Sequence, residues 1–310
     1  MAYIDAQRAR FGVEPICRVL REHGCKVAPN TYWVAKKRPP SPRALRDEVL
    51  KVEVARVHRE SLGGVYGADK VWAQLNREGT RVARCTVERL MREMGLSGAR
   101  RGRAYKVTTR SDDRQHRPAD LVERHFKASA PNRMWVADLT YVKTHVGWVY
   151  AAFIIDVFSR MVVGWQTSVS LRSDLAIDAL EMAVWNRTRA GNDLDGLVHH
   201  SDRGVQYLSV RYSERLADND IVASVGPRGD SYDNALAEAF NSLYKWELIY
   251  RQGPWEDLDD VEFATMGYVD WFNHRRLHGE ISDDNTYTTP AEFEALNYRQ
   301  NRSAVVAVTQ

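Results

Sequence analysis

Asp138, Asp202 and Glu238 are the residues of this chain whose types and settings could do chemistry together. Asp138 lies in the strand-like run Arg133 to Val142. Asp202 closes the run Leu197-Val-His-His-Ser-Asp202, just before Arg203-Gly204. Glu238 stands early in a helical stretch from Asn234 to Lys245. The intervals between the three acids hold 63 and 35 residues. Two carboxylates at strand ends and one on a later helix can meet at a point above a sheet. That point would hold two hard divalent cations through oxygen ligands. Such a pair of ions is the usual device for in-line displacement at phosphorus. Taken singly, each acid has a plainer reading. An Asp at a strand end is usually a turn former or cap, and a Glu on a helix is usually a solvated face residue. The text around all three favours the chemistry.

The elements that must position these acids follow from the hydrophobic pattern. Met134–Val142, Trp148–Val157 and Met161–Ser168 are β-rich runs separated by the turn signals at 144–147 and 158–160. A helix with Leu175, Ile177, Leu180, Ala183 and Val184 apolar comes next. Leu197–Ser201 is a fourth strand, Val210–Ala217 a helix and Ile221–Val225 a fifth strand. Three meandering strands, then alternating helix and strand, is the order of an α/β ribonuclease-H-like core with a mixed five-stranded sheet. Strand alternation puts Val136, Asp138 and Thr140 on one face and Trp135, Ala137 and Leu139 on the other. An unpaired Asp138 carboxylate in such a sheet is costly. A metal ion or a neighbouring Arg would relieve it. On the later helix Glu238, Asn241, Ser242 and Lys245 share one face, with Leu236, Ala239, Phe240 and Leu243 toward the interior. The glycine-rich loop from Gly226 to Ser231 adjoins the site and carries Arg228, so it reads as a mobile loop that touches substrate.

Charge divides the chain. The net charge of +3 hides 24 Lys+Arg against 11 Asp+Glu in residues 1–110, and 20 against 30 in the rest. A front third at +13 followed by a remainder at −10 points to polyanion binding in front and another task behind. Residues 1–38 read as an N-terminal helical, helix-turn-helix-like segment with Ile16, Val19, Leu20 and Val27 on its apolar face. The Pro39-Pro40-Ser41-Pro42 stretch reads as a linker. Residues 44–97 give three helical patterns, marked by Leu50, Val54 and Val57, by Val71, Trp72 and Leu75, and by Val87, Leu90, Met91 and Met94. Thr86 is suited to cap the third and Gly95 to end it. This is a helix-turn-helix pattern whose last helix enters the major groove, with Arg84, Arg89 and Arg92 near phosphates or base edges. An ordinary helical bundle is the alternative. Residues 98–130, with Arg100, Arg101, Arg103, Lys106 and Arg110, read as a basic connector that tracks DNA.

The longest apolar run, Trp148 to Ile155, is far too short to span a bilayer, and no secretion signal opens the chain. Three cysteines without zinc-ribbon spacing suit a reducing cytoplasm. Cys17, His23 and Cys25 lack a partner to complete a tetrahedral metal site. No phosphate loop of the ATPase type is present.

The segment Pro131-Asn-Arg-Met-Trp-Val-Ala-Asp138-Leu-Thr-Tyr141 resembles the first catalytic strand of the retroviral-integrase superfamily. His200-Ser-Asp202-Arg-Gly204-Val-Gln206-Tyr207 is similar to its second motif. Ser231-Tyr-Asp233-Asn234-Ala-Leu-Ala-Glu238, with Lys245 seven residues on, is similar to its third. With Tyr66-Gly67, Val87-Glu-Arg-Leu-Met91 and Trp271-Phe-Asn273-His-Arg-Arg276, these motifs resemble the bacterial transposases of the insertion-sequence-three family, in the version read from the downstream frame. The likeness runs from about residue 10 to residue 295, and three ordered motifs are a specific signal.

The resemblance implies an integrase-like catalytic core over 131–250 and a helical extension over 251–310. It implies a DNA transposase that cleaves element ends and transfers strands, with Asp138, Asp202 and Glu238 holding two Mg²⁺ ions and Mn²⁺ able to substitute. Asn241 and Lys245 would face DNA. Asp156, in a similar strand context, falls outside the motifs and is read as structural. Implied partners are the terminal inverted repeats, target DNA, further copies of the chain in a dimer or higher oligomer, and an upstream-frame protein or fusion. The implied setting is the bacterial cytoplasm, on the nucleoid. Two alternatives stay open. One is a DNA-binding or regulatory part of a transposase without catalysis of its own. The other is a ribonuclease-H-type nuclease, which would need neither the basic front third nor Lys245.

Overall fold

The computed structural model describes residues 1–100, 128–202, 206–207, 209–225, 235–282 and 286–308. The chain divides into two compact units, Met1–Glu53 and Val54–Gln310. In the first, helices α1 (Ala2–Phe11), α2 (Val13–Glu22) and α3 (Pro29–Lys37) bury Ile4, Val13, Ile16, Cys17 and Tyr32 together. Val19, expected on the apolar face, is instead exposed, and Cys17 fills the interior. Cys17 is thus a small core hydrophobe. Helix α4 (Pro42–Glu60) begins at the last proline of the expected linker. Proline is tolerated there because the first turn of a helix has no partner for its backbone N–H.

From Val54 on, the three helical patterns become the end of α4, α5 (Ala68–Arg77) and α6 (Arg84–Glu93). Val54, Val57, Val71, Leu75, Val87 and Met91 are buried, as their spacing predicts. Helix α6 starts two residues before Thr86, with Ala83 at its N-cap, so Thr86 lies inside the first turn and caps nothing. Gly95 does end it. At φ +69° it takes the left-handed turn that frees Leu96 N–H to reach the Met91 carbonyl at 2.9 Å.

The sheet has five strands in the order β3-β2-β1-β4-β5. Strands β1 (Met134–Lys143), β2 (Trp148–Asp156) and β3 (Val162–Ser168) form an antiparallel meander. Strands β4 (Val198–Ser201) and β5 (Val222–Val225) join in parallel, each after a helix: α7 (Ser173–Arg189) and α8 (Val210–Ala217). Parallel pairing needs such crossovers, whereas the meander needs only tight turns. One face of the sheet, with Trp135, Ala137 and Ile154, packs on α7 and α8. Gly164 allows the close approach of α7, because a Cβ there would lie 2.1 Å from the Ala179 carbonyl oxygen.

The other face, with Val136, Phe153 and Ile155, packs on α9 (Ala235–Tyr244) and α11 (Leu258–His274). Between them run a π-helical turn (Lys245–Ile249) and the short α10 (Tyr250–Gln252). Helix α12 (Pro290–Val308) follows α11. On α9 the buried residues are Ala237, Phe240, Asn241 and Tyr244, while Ala239 is exposed. The inward stripe is therefore rotated from the one expected. Phe153 of β2, in edge contact with both Phe240 and Tyr244, sets that rotation.

The α5–α6 pair shares this core and is tied to its C-terminal helices. The Tyr66 hydroxyl donates to the Arg275 carbonyl at 2.9 Å and accepts from Leu277 N–H at 2.7 Å. Arg77 donates to the Tyr287 carbonyl and to Glu292. Among the described residues, no helix is long and apolar enough to cross a membrane.

Candidate active site

The β1–β4 register brings two of the three acids together. Its parallel pairs run from Met134–Val198 to Ala137–Ser201. Asp138 and Asp202 come one residue later, on strands whose spacing is about 4.8 Å. Glu238 lies in the first turn of α9, which packs on β1. Asn241, one turn further on, donates its amide to Asp138 Oδ2 at 2.9 Å. The other Asp138 oxygen accepts from Leu139 N–H at 2.8 Å.

Electrostatics show that the acids share one field. Burial pushes the Asp138 carboxyl up to about 7, and the Asp202 charge acts in the same direction. The Leu139 and Asn241 hydrogen bonds oppose the rise, and Glu238 adds a smaller push upward. Asp202 is half-buried and Glu238 is exposed. Among the described residues no three acidic, His or Cys side chains form a ready metal cage. Asp202 and Glu238 both lie within reach of the Asp138 charge, and like charges at such range oppose one another's ionisation. The donor set itself, all carboxylate oxygen with one member pushed toward neutrality by burial and by neighbouring acids, fits a hard divalent cation.

Lys245 opens the π-helical turn. Its Nζ sits 4.4 Å from the centroid of the Tyr141 ring. Burial lowers its pKa, while Tyr141 and Asp138 pull the other way. Asn241, expected to face DNA, is buried against Asp138, so its amide orients a carboxylate and does not lie on an outer surface. Arg84 and Arg92 are exposed on α6, and Arg89 is half-buried there. Each holds an ion pair, with Asp69 at 2.7 Å, Glu93 at 2.7 Å and Glu88 at 3.1 Å respectively. Arg100 is exposed. Arg101, Arg103 and Arg228, and the glycine-rich loop, lie outside the described residues.

Tyr207 was legible only as motif text. It is buried, and its hydroxyl has no hydrogen-bond partner among the described residues. Burial raises its pKa, and Tyr212, Asp138 and Asp202 add to the rise, so the phenol lies close to both carboxylates. The doubled histidines serve the sheet. His199 pairs with the Tyr212 hydroxyl at 3.0 Å and is held near pKa 4 by burial. His200 contacts Ser224 Oγ at 2.9 Å. Asp156 is fully buried and accepts from Asn132 and Phe158 N–H at 2.7 and 2.9 Å. Arg187 lies 3.4 Å from it and also grips Glu294 at 2.6 Å.

Comparison with known proteins accords with this geometry. The Integrase core domain family matches residues 128–231 and, in a second form, 219–283. The HTH-like domain family matches 44–104. The chain is 52% identical over 277 residues to the putative transposase for insertion sequence element IS986/IS6110 of Mycobacterium tuberculosis, covering 89% of this chain and 98% of that one. It is 46% identical over 303 residues to the transposase for insertion sequence element IS629 of Shigella sonnei, covering 96% of each. It is 33% identical over 299 residues to the transposase InsF for insertion sequence IS3A of Escherichia coli K12, covering 95% and 98%. A helix-turn-helix-like front, an integrase core and alignment along nearly the whole of these relatives agree: the chain belongs to the IS3 family of transposases, within the integrase superfamily.

Proposed function

We propose that this transposase cleaves the ends of its element and joins them to target DNA by two-metal-ion phosphoryl transfer, with Asp138, Asp202 and Glu238 as the metal ligands. The observation that carries this reading is the register that sets Asp138 beside Asp202 under the helix bearing Glu238. When bound, two Mg²⁺ ions, or Mn²⁺ in their place, would activate water or a DNA 3′-hydroxyl and stabilise the leaving 3′-oxygen. Asn241 fixes the rotamer of Asp138 through its amide. Lys245 offers a compact point charge for a DNA phosphate beside the carboxylates. Arg84, Arg89, Arg92 and Arg100, with Arg101, Arg103 and Arg228, hold DNA through its backbone.

The test is strand transfer with labelled element-end DNA, with and without Mg²⁺. Cleavage and joining that depend on the ion support the reading. Metal-independent activity, or retention of activity by Asp138→Ala, would refute it. The same assay, run with the chain alone and with an upstream-frame protein or fusion added, decides the second reading. In that alternative the chain binds ends but needs a partner for catalysis.

A further inference from the structure

Among the described residues, β1 past Asp138 is paired on one side only. Strand β4 accompanies it as far as Ala137, whereas β2 continues to Lys143. On this freed length Tyr141 is 40% exposed, and Trp148, at the start of β2, is 49% exposed. Their rings meet edge to face with centroids 5.3 Å apart. Neither belongs to the cores on the two sides of the sheet. Two lysines frame the pair. Lys143 stands opposite Trp148 in the register and is exposed. Lys245 lies over the Tyr141 ring and is within reach of the Asp138 charge. Strand alternation sets Tyr141 and Lys143 on the face opposite Asp138, and Lys245, over the Tyr141 ring and within the Asp138 field, links this open edge to the carboxylate site. An open aromatic surface with cations at its margin suits a flat apolar group attached to an anion. A nucleotide is such a group. Within a duplex its ring faces are covered by the neighbouring bases, so only an unpaired or terminal base has a face to offer.

We propose that Tyr141 and Trp148, framed by Lys143 and Lys245, form a stacking platform for an unpaired base of the DNA strand whose phosphate enters the carboxylate site. The proposal rests on the reading of Asp138 and its neighbours as the place of strand cleavage. The platform holds the displaced base to one side, so that the phosphate beside it is fixed near Asp138. Stacking of this kind accepts any base, because every base has a π face. The platform therefore contributes to strand separation at the reacting end and not to recognition of the end sequence. A cross-strand aromatic pair can also serve only to stabilise a hairpin. That role would act on folding and not on DNA.

The test uses the full chain carrying Asp138→Asn, so that DNA is held and not consumed. Binding is measured to element-end duplexes with a short unpaired tail, either bearing a base or abasic at each tail position in turn. The parent protein should bind the base-bearing tail roughly 10-fold tighter than the abasic tail at one position. Trp148→Leu and Tyr141→Leu keep apolar cover without a flat ring of the same kind, and each should erase most of that difference. Trp148→Phe should keep most of it. Equal weakening on both DNAs, or no weakening in either Leu variant, would overturn the platform. So would a changed oligomeric state with base discrimination intact, the sign that a second copy of the chain covers this surface. Because the readout is binding, it is independent of cleavage. If the carboxylate reading itself failed, the Asp138→Asn protein would still transfer strands, a separate result.

Discussion

Asp138 and Asp156 lie on adjacent strands of one meander, in similarly apolar text, and both carboxyls are pushed up by burial, to about 7 and about 6. Their surroundings differ in sign. Asp156 is fully buried but has its cation built in. Arg187 and two backbone N–H groups oppose its rise, and Glu294 with Ser159 completes the knot. Asp138 has an amide and one N–H, and the charges that raise it are the acids Asp202 and Glu238, with the half-buried Lys245 a cation within reach. One carboxylate is compensated by the fold and locks the turn from β2 to β3. The other is held beside like charges, an arrangement that the proposed cations would compensate. A buried acid of the first kind reports on stability and one of the second kind on function.

Substitution should separate the two most sharply. Asp138→Ala, Asp202→Ala and Glu238→Ala should each reduce cleavage and strand transfer by roughly a thousandfold or more, since residues that act as one unit fail together. End-DNA retention should persist, because the basic residues of 1–110 remain. Paired retention and strand-transfer assays check this. A triad variant with near wild-type transfer removes that residue from the ligand set. Asp156→Ala should behave in the opposite way. It leaves Arg187 with one partner fewer in the interior and should cost about 3–5 kcal/mol by denaturant unfolding. In contrast, Asp138→Asn should leave the melting temperature unchanged or raise it. A stable Asp156→Ala protein would end the comparison.

Titration should sharpen it. Both carboxyls have folded-state pKa values above the ordinary 3.8. The folded protein then holds more protons than the unfolded chain from about pH 4 upward, and stability falls as pH rises through that range. The fall from Asp156 should be complete just above its value near 6, and that from Asp138 just above 7. Melting temperatures between pH 4 and 8 should show this decline, and Asp138→Asn should remove its upper part. Mg²⁺ should reduce the same upper part, and leave the Asp156 part as it was. A decline that Mg²⁺ does not alter would argue that no cation enters beside Asp138.

The smallest effects concern the cations proposed to meet DNA. Lys245→Arg should keep much of the activity and Lys245→Glu should lose strand transfer. Equal loss in both would indicate a specific proton role. Arg84→Ala and Arg92→Ala should each weaken end binding modestly, lowering the slope of log affinity against log salt by about 1. Their ion pairs with Asp69 and Glu88 are solvent-exposed and screened, and can be exchanged for phosphate. An unchanged salt slope would remove these arginines from the interface.

The sequence by itself determined the order of elements, the core and the family. Period-2 and period-3.6 apolar patterns are local consequences of strand and helix geometry. They placed β1 to β5 and α8 within a residue or so, marked α7 by its apolar positions, and put Asp138 on the face with Val136. The three motifs with their spacing marked the transposase family. Tertiary structure decided what the motifs do not encode. The edge contacts of Phe153 rotated α9 so that Asn241 turned inward to Asp138. Tertiary placement left Tyr141 and Trp148 exposed at the end of β1 and start of β2, with Lys245 over the Tyr141 ring. The sequence reading took Asp156 as structural because it lies outside the motifs, but that two alike aspartates meet opposite environments was settled by Arg187 and Glu294, 31 and 107 positions from one partner to the next. Charge compensation acts through space over a few ångströms, and the spacing of residues along the chain does not carry that information.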